Sequence, residues 1–353
     1  MKNKKLFALI ASLIAMTMLL AACGGGSQPA SPSASSPAPS ASSPAPSSAS
    51  PSAPAPSASV GGAKGAEVTM ILKNFVNPFF LTVREGGEAA AADFGINLTV
   101  LAPLVAESNE EQSQMADQAI INQIDLLIMC PSDTNGIIPA VQRVFEAGIP
   151  VINLNTRIGG DKTMWETFVV AENFPAGHGT ATRLAEMMGG EGDLIILEGV
   201  PGAQTAIDRA EGAIDALKSF PNIKIVAQQS AEYNRATAMD VMQNLLQAHP
   251  NVKGVFAAND EMALGALEAI DAAGLSGKIL VAGIDANADA RQSMRDGKLA
   301  LTCSTDPFAQ GYYAVQAAAA YLNGETLPPV YTVPIRVLSS IAELDDFEAS
   351  LAS

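Results

Sequence analysis

From residue 66 onward, short apolar runs alternate with longer segments in which apolar residues recur every three or four positions. The short runs predict strands at 68–73, 97–101, 125–130, 150–154 and 167–171. A second series follows at 193–198, 224–227, 252–257, 279–284 and 299–304. Amphipathic segments separate most of them. Strands that are apolar throughout, rather than alternating, are buried on both faces, so the pattern predicts parallel sheets covered by helices on each side. Local punctuation agrees. Asn77-Pro78 reads as a helix cap followed by proline at the first helical position, and Gly95 as the terminating residue. Gly148 and Gly274 end later helices in the same way. A body of this length suits two lobes better than one.

The beginning of the chain follows other rules. Lys2, Lys4 and Lys5 precede an uncharged apolar stretch over 6–22, and Leu20-Ala21-Ala22-Cys23 closes it with small residues. Basic start, apolar middle and small-residue end are the order of a secretory signal, expected at 1–22. The tetrad resembles the lipobox of bacterial lipoproteins, which implies cleavage before Cys23 and lipid attachment to it. Every residue of 27–59 except Gln28 is Ser, Pro or Ala. Such a composition buries too little to offset the entropy of ordering, and its prolines favour an extended chain, so 23–65 is expected to be a tether.

Composition narrows the function. The formal net charge is −16, which argues against nucleic acid and against direct adhesion to anionic lipid. The body holds Cys130 and Cys303, both in predicted strands and read as packed thiols rather than a disulfide. Its two histidines, His178 and His249, lie far apart with no cysteine cluster near them, so no metal and no cofactor is expected. No phosphate-binding loop, nucleophile elbow or dinucleotide fingerprint is present, and the acid pairs Asp260-Glu261 and Asp345-Asp346 lack an accompanying base or nucleophile. The chain is therefore read as non-enzymatic.

In open parallel sheets, ligands bind beyond the carboxyl ends of the strands. The residues there include Asn77, Phe79 and Phe80; Asn155, Thr156 and Arg157; Arg209; Tyr233; Asn259; Asp285; and Thr305 with Asp306. Asn, Asp and Arg each grip two hydroxyls, and aromatic faces cover the C–H patches of a ring, which suits a sugar. Helix N-termini favour Asn and Asp without any ligand, and Asn155, Asn259 and Asp285 are open to that explanation too.

The segments Asn77-Pro-Phe-Phe80, Asp240-Val-Met-Gln-Asn-Leu-Leu-Gln-Ala-His-Pro250, Val255-Phe-Ala-Ala-Asn-Asp-Glu-Met-Ala-Leu-Gly-Ala266 and Asp296-Gly-Lys-Leu299 resemble those of the ribose-binding-protein family of periplasmic sugar-binding proteins. The resemblance spans nearly all of 66–353. It implies two Rossmann-like lobes joined by a three-segment hinge at 171–173, 305–307 and 331–333. The first lobe would be 66–170 plus 307–329, and the second 171–306 plus 330–353. It implies ligand contacts from Asn77, Phe79, Phe80, Arg209, Tyr233, Asn259 and Asp285. Cys130, Asn155-Thr156 with Arg157, Ile284, and Thr305 or Asp306 depart from the family's pattern. They point to another pentose, a hexose or an inositol-like polyol rather than D-ribose.

The expected function is capture of a monosaccharide or sugar-like polyol outside the cytoplasm, by a monomer anchored through Cys23, with delivery to the permease of an ABC transporter. A sensory module reporting to a membrane receptor or kinase is the alternative. A transcription regulator of the same fold lacks support, given the export signal and the absence of a basic DNA-binding head.

Overall fold

The structure, a computed structural model, describes residues 62–351. The signal, Cys23 and most of the tether lie outside the described residues. Five strands open the first lobe: β1 (Glu67–Ile71), β2 (Asn97–Leu101), β3 (Leu126–Met129), β4 (Val151–Leu154) and β5 (Thr167–Ala171). Helices α1 (Pro78–Phe94), α2 (Asn109–Ile121) and α3 (Ile138–Glu146) connect them, and a single 3-10 turn, Lys162–Met164, precedes β5. The chain then builds a second lobe from α4 (Asn173–Met187), β6 (Glu191–Glu198), α5 (Gln204–Leu217), β7 (Asn222–Ser230), α6 (Arg235–Ala248), β8 (Val252–Ala257), α7 (Asp260–Ala272), β9 (Leu280–Ala282), α8 (Ala288–Arg295) and β10 (Thr302–Ser304). It returns to the first lobe with α9 (Pro307–Leu322) and β11 (Val330–Val333), and finishes on the second with β12 (Arg336–Leu338) and α10 (Ile341–Leu351).

The first sheet is parallel throughout, in the order β11-β5-β4-β3-β1-β2. Strands β3 and β4 are buried at every position. Alternation of side chains along each strand divides the lobe's interior into two cores. Met70, Leu126, Ile128 and Ile152 pack with α1 and α9 on one face. Ile71, Leu127, Met129 and Val151 pack with α2 and α3 on the other. The second sheet, in the order β7-β6-β8-β9, is also parallel and shares one continuous core.

Pairs of helices lie close enough for backbone to touch backbone. A Cβ on Gly311 of α9 would overlap the carbonyl oxygen of Val83 on α1, and one on Gly86 would overlap that of Phe308. Gly177 of α4 and Gly212 of α5 make the same reciprocal contact with the carbonyls of Arg209 and Phe174. This second contact sets the height of Arg209 above the sheet.

Three sequence expectations are corrected. Residues 330–333 belong to the first lobe, because β11 pairs with β5 from Val330↔Phe168 to Val333↔Ala171, so the third crossing follows at 334–335. The folded body also begins before residue 66: Ala63 is buried in the first core, and its N–H donates to Asn323 Oδ1 at 3.0 Å. Finally, the run at 299–304 is not one strand of the parallel sheet. Its residues run beside β9 and the turn after it, with Ala300 N donating to Val281 O, Gly283 N to Leu301 O and Asp285 N to Cys303 O, but the regular strand is only β10, which pairs antiparallel with β12.

Gly311→Ala is expected to cost about 1–3 kcal/mol of stability, because the overlap is with backbone and only a helix shift relieves it. A melting temperature within experimental error of the wild type would show that α1 and α9 are not so tightly apposed.

Candidate ligand site at the lobe interface

Each functional side chain is placed by a strand end or a helix start. Asn77 caps α1, its Oδ1 accepting from Phe79 N at 3.0 Å. The cap turns Phe79 and Phe80 inward, where their rings meet edge to face with centroids 5.1 Å apart. Asn155 follows β4 with φ 61°, a left-handed conformation that Asn tolerates better than most residues. Its Nδ2 donates to Gln310 Oε1 at 2.9 Å, and Gln310 Nε2 donates to Thr305 O at 2.7 Å, tying the strand end to a hinge segment.

The second lobe answers with α5, α7 and the turns after β7 and β9. Arg209, buried on α5, donates through Nε to Asn173 Oδ1 at 2.8 Å. Its Nη1 donates to Ala258 O at 2.7 Å and to Asp285 Oδ1 at 3.2 Å. Asn259 caps α7, accepting from Met262 N at 2.9 Å, so its capping role and its place in the pocket coexist. Tyr233, at φ 56°, brings its hydroxyl 3.5 Å from Thr205 Oγ1. Asp285, at φ 132°, is fixed by its N–H donating to Cys303 O at 2.8 Å.

These groups converge. Asn77, Phe79, Phe80, Asn155, Arg209, Tyr233, Asn259 and Asp285, together with Lys73 and Thr205, line one cavity of about 20 Å³ between the lobes. That is about the space of one water, so the walls of the pocket stand closed on one another. The cleft is closed at its rim: Thr134 N donates to Gly202 O at 3.2 Å, Gln204 N donates to Thr134 Oγ1 at 3.0 Å, and Thr156 and Thr205 hydroxyls lie 3.4 Å apart.

Two expected residues fall elsewhere. The left-handed turn at Asn155 sends Thr156 inward and leaves Arg157 exposed, its guanidinium 5.8 Å from the Phe168 ring centroid. Asp306 caps α9, its carboxylate accepting from Ala309 N at 3.0 Å, and does not line the cavity. Lys73 and Thr205 were not foreseen. A lysine ending an apolar strand reads as a solvated terminus, yet Lys73 is 2% exposed. Its Nζ lies 5.9 Å and 6.0 Å from the centroids of Phe80 and Tyr233 and 4.0 Å from Glu107 Oε2. Cys130 and Cys303 are buried free thiols, each pushed up to about 12 by burial.

Two parallel-sheet lobes with a polar and aromatic pocket at their facing strand ends define a solute-binding protein of the type I periplasmic fold. The periplasmic binding protein domain matches residues 68–326, and the chain belongs to that family. The ribose import binding protein of Bacillus subtilis is 33% identical over 285 residues, covering 80% of this chain and 90% of its own. The D-allose-binding periplasmic protein of Escherichia coli is 29% identical over 290 residues, covering 80% and 93%. Among solved structures, an ABC transporter solute-binding protein of Actinobacillus succinogenes with bound D-allose matches at TM-score 0.75 and 34% identity, over 79% of this chain and 99% of that one. Another, from Bacillus halodurans with bound myo-inositol, matches at TM-score 0.76 and 27% identity, over 82% and 99%.

The buried charges carry a pH signature. Burial is the largest influence on Asp285 and pushes its carboxyl up to about 8; Arg209 pulls it back and Asp260 adds to the rise. Arg209 bonds to Asp285 alone, while the buried carboxyl of Asp260 accepts from Asn287 N and Thr302 Oγ1, so Asp285 retains a proton where an exposed carboxyl would release it. A group that holds its proton more tightly folded than unfolded contributes fully below its ordinary value of 3.8, and that contribution is lost as pH rises to about 8. Without added ligand, the melting temperature is expected to fall across this window, and Asp285→Asn to flatten the fall. An equal slope in the variant would contradict the assignment.

Proposed function

We propose that this chain captures a monosaccharide or sugar-like polyol between its lobes and delivers it to the permease of an ABC transporter. The observation that carries this reading is the pocket, in which aromatic faces from the first lobe oppose Arg209, Asn259 and Asp285 from the second. A ligand that touches both sides favours the closed state by the difference between its closed and open contacts. The closed form then offers the permease a surface made from both lobes.

In this reading the first lobe comprises 62–170 with 307–333, and the second lobe the remainder to 351. Phe79 and Phe80 cover the ligand's C–H surface. Asn77, Arg209, Asn259 and Asp285 bind its oxygens, and Tyr233 adds an aromatic wall with a hydroxyl. The protein acts as a monomer outside the cytoplasm, held to the membrane through lipid on Cys23 and spaced from it by the Ser/Pro/Ala tether. Import is favoured over sensing because the relatives matched along most of the chain are import binding proteins.

A thermal-shift screen of sugars, polyols and their acids tests the class, since a ligand selective for the folded state must raise the melting temperature. Once a ligand is found, Arg209→Ala and Asp285→Ala are each expected to weaken it by about 2 kcal/mol or more, through stranded polar partners. Calorimetry showing unchanged affinity in both variants would remove these residues from the site.

A further inference from the structure

Gln310 does not line the cavity, yet it is fully buried and makes two short hydrogen bonds. It is the one polar side chain among the buried positions of α9, whose other buried residues are Gly, Ala, Val and Leu. An amide in such surroundings is costly unless both of its ends are paired. Its nitrogen end is explained by the start of the helix, where Nε2 donates to Thr305 O at 2.7 Å. That bond does not explain the other end, which reaches Asn155 on the pocket side.

The two bonds form a chain of fixed sense. A main-chain carbonyl only accepts, so Thr305 O takes the amide nitrogen and turns Gln310 Oε1 towards Asn155. An amide oxygen also only accepts, so Asn155 presents Nδ2 to it, at 2.9 Å. The Asn155 oxygen is thereby directed the other way, where it accepts from Thr156 Oγ1 at 3.3 Å and lies 4.0 Å from Cys130 Sγ. A carbonyl in the crossing segment thus dictates which way round a pocket amide stands, through a side chain outside the pocket. The same bond helps to hold Asn155 at φ 61°, a conformation that persists only where surrounding contacts over-determine it. Without Gln310 the Asn155 amide is free to turn over, exchanging donor for acceptor towards the cavity. Hydroxyls matched to one orientation are mismatched to the other.

We infer that Gln310 is a positioning residue of the ligand site: it holds the Asn155 amide in place, sets its donor–acceptor sense and ties it to the crossing segment at Thr305. This rests on the reading of the cavity as a sugar site and adds to it a determinant of affinity that touches no ligand.

The test is isothermal calorimetry of D-ribose, D-allose and myo-inositol with the mature protein, Gln310→Met, Gln310→Glu, Asn155→Ala and the double variant Gln310→Met/Asn155→Ala. For the probe that binds most tightly, Gln310→Met is expected to weaken binding about fivefold or more, the scale of one hydrogen bond. In the Asn155→Ala background the same substitution is expected to cost nothing further, because its target is gone. A protonated carboxyl in Gln310→Glu can donate to Thr305 O and accept from Asn155 as the amide does, whereas an ionised one cannot donate. Affinity of Gln310→Glu relative to wild type is therefore expected to recover as pH falls from about 8 to about 5, the range in which a buried carboxyl takes up its proton. A residue that only supports the fold would lower the melting temperature without this coupling. Unchanged affinity in Gln310→Met, or an equal loss with and without Asn155, would overturn the inference and leave the sugar-site reading intact. Should none of the three probes bind, the sugar reading loses its support, and a crystal structure of Gln310→Met decides the inference by itself. Asn155 displaced from its present backbone and side-chain conformation would support it, and Asn155 unmoved would overturn it.

Discussion

The second lobe's half of the pocket depends on one buried guanidinium. Arg209 reaches three oxygens on three separate segments: Asn173 just beyond the first lobe crossing, Ala258 at the end of β8, and Asp285 after β9. Desolvating such an ion pair offsets much of its attraction, so its value here is one of registration more than net stability. Remove the guanidinium and the buried carboxyl of Asp285 loses its cation partner. The contact of Gly177 with the Arg209 carbonyl serves the same end from the backbone side, since it leaves α5 only one height at which to pack. Hinge, sheet edge and pocket are thereby held to a common geometry by a single side chain.

Backbone strain collects around the same cavity. Asn155, Tyr233 and Asp285 all adopt positive φ, and each contributes a side chain to the cavity wall. Such conformations cost on the order of 1–3 kcal/mol each and persist only where surrounding contacts over-determine them. Here those contacts are visible. Asn155 is held through its N–H to Val169 O and its side chain to Gln310, and Asp285 through Cys303 O. The strain aims polar groups across the gap between lobes instead of along their own sheets.

Much of this was legible in the sequence, for reasons that differ by element. Buried parallel strands such as β3 are short continuous apolar runs, and β4 departs from that only at Asn153. Strand-end asparagines, aromatics and acids could be gathered into one site because parallel topology sends all of those ends to one edge. What escaped has physical causes. β11 and β12 are short, only partly buried, and carry no long apolar run. Thr205 is a single hydroxyl on a helix. Thr156 and Arg157 both follow β4, and the turn at Asn155, which no sequence pattern specifies, decides which side chain faces inward. Asp306 satisfies a helix terminus in place of a ligand, and Lys73 hides its role because a lysine after an apolar strand is ordinarily in water.

The account's central claim is that one small ligand is gripped by both lobes at once. A crystal structure of the protein with its physiological ligand tests this most directly. The account requires density between Phe79 and Phe80 on one side and Arg209, Asn259 and Asp285 on the other, with polar contacts to both lobes. Density elsewhere on the surface, or contacts from one lobe alone, would contradict it.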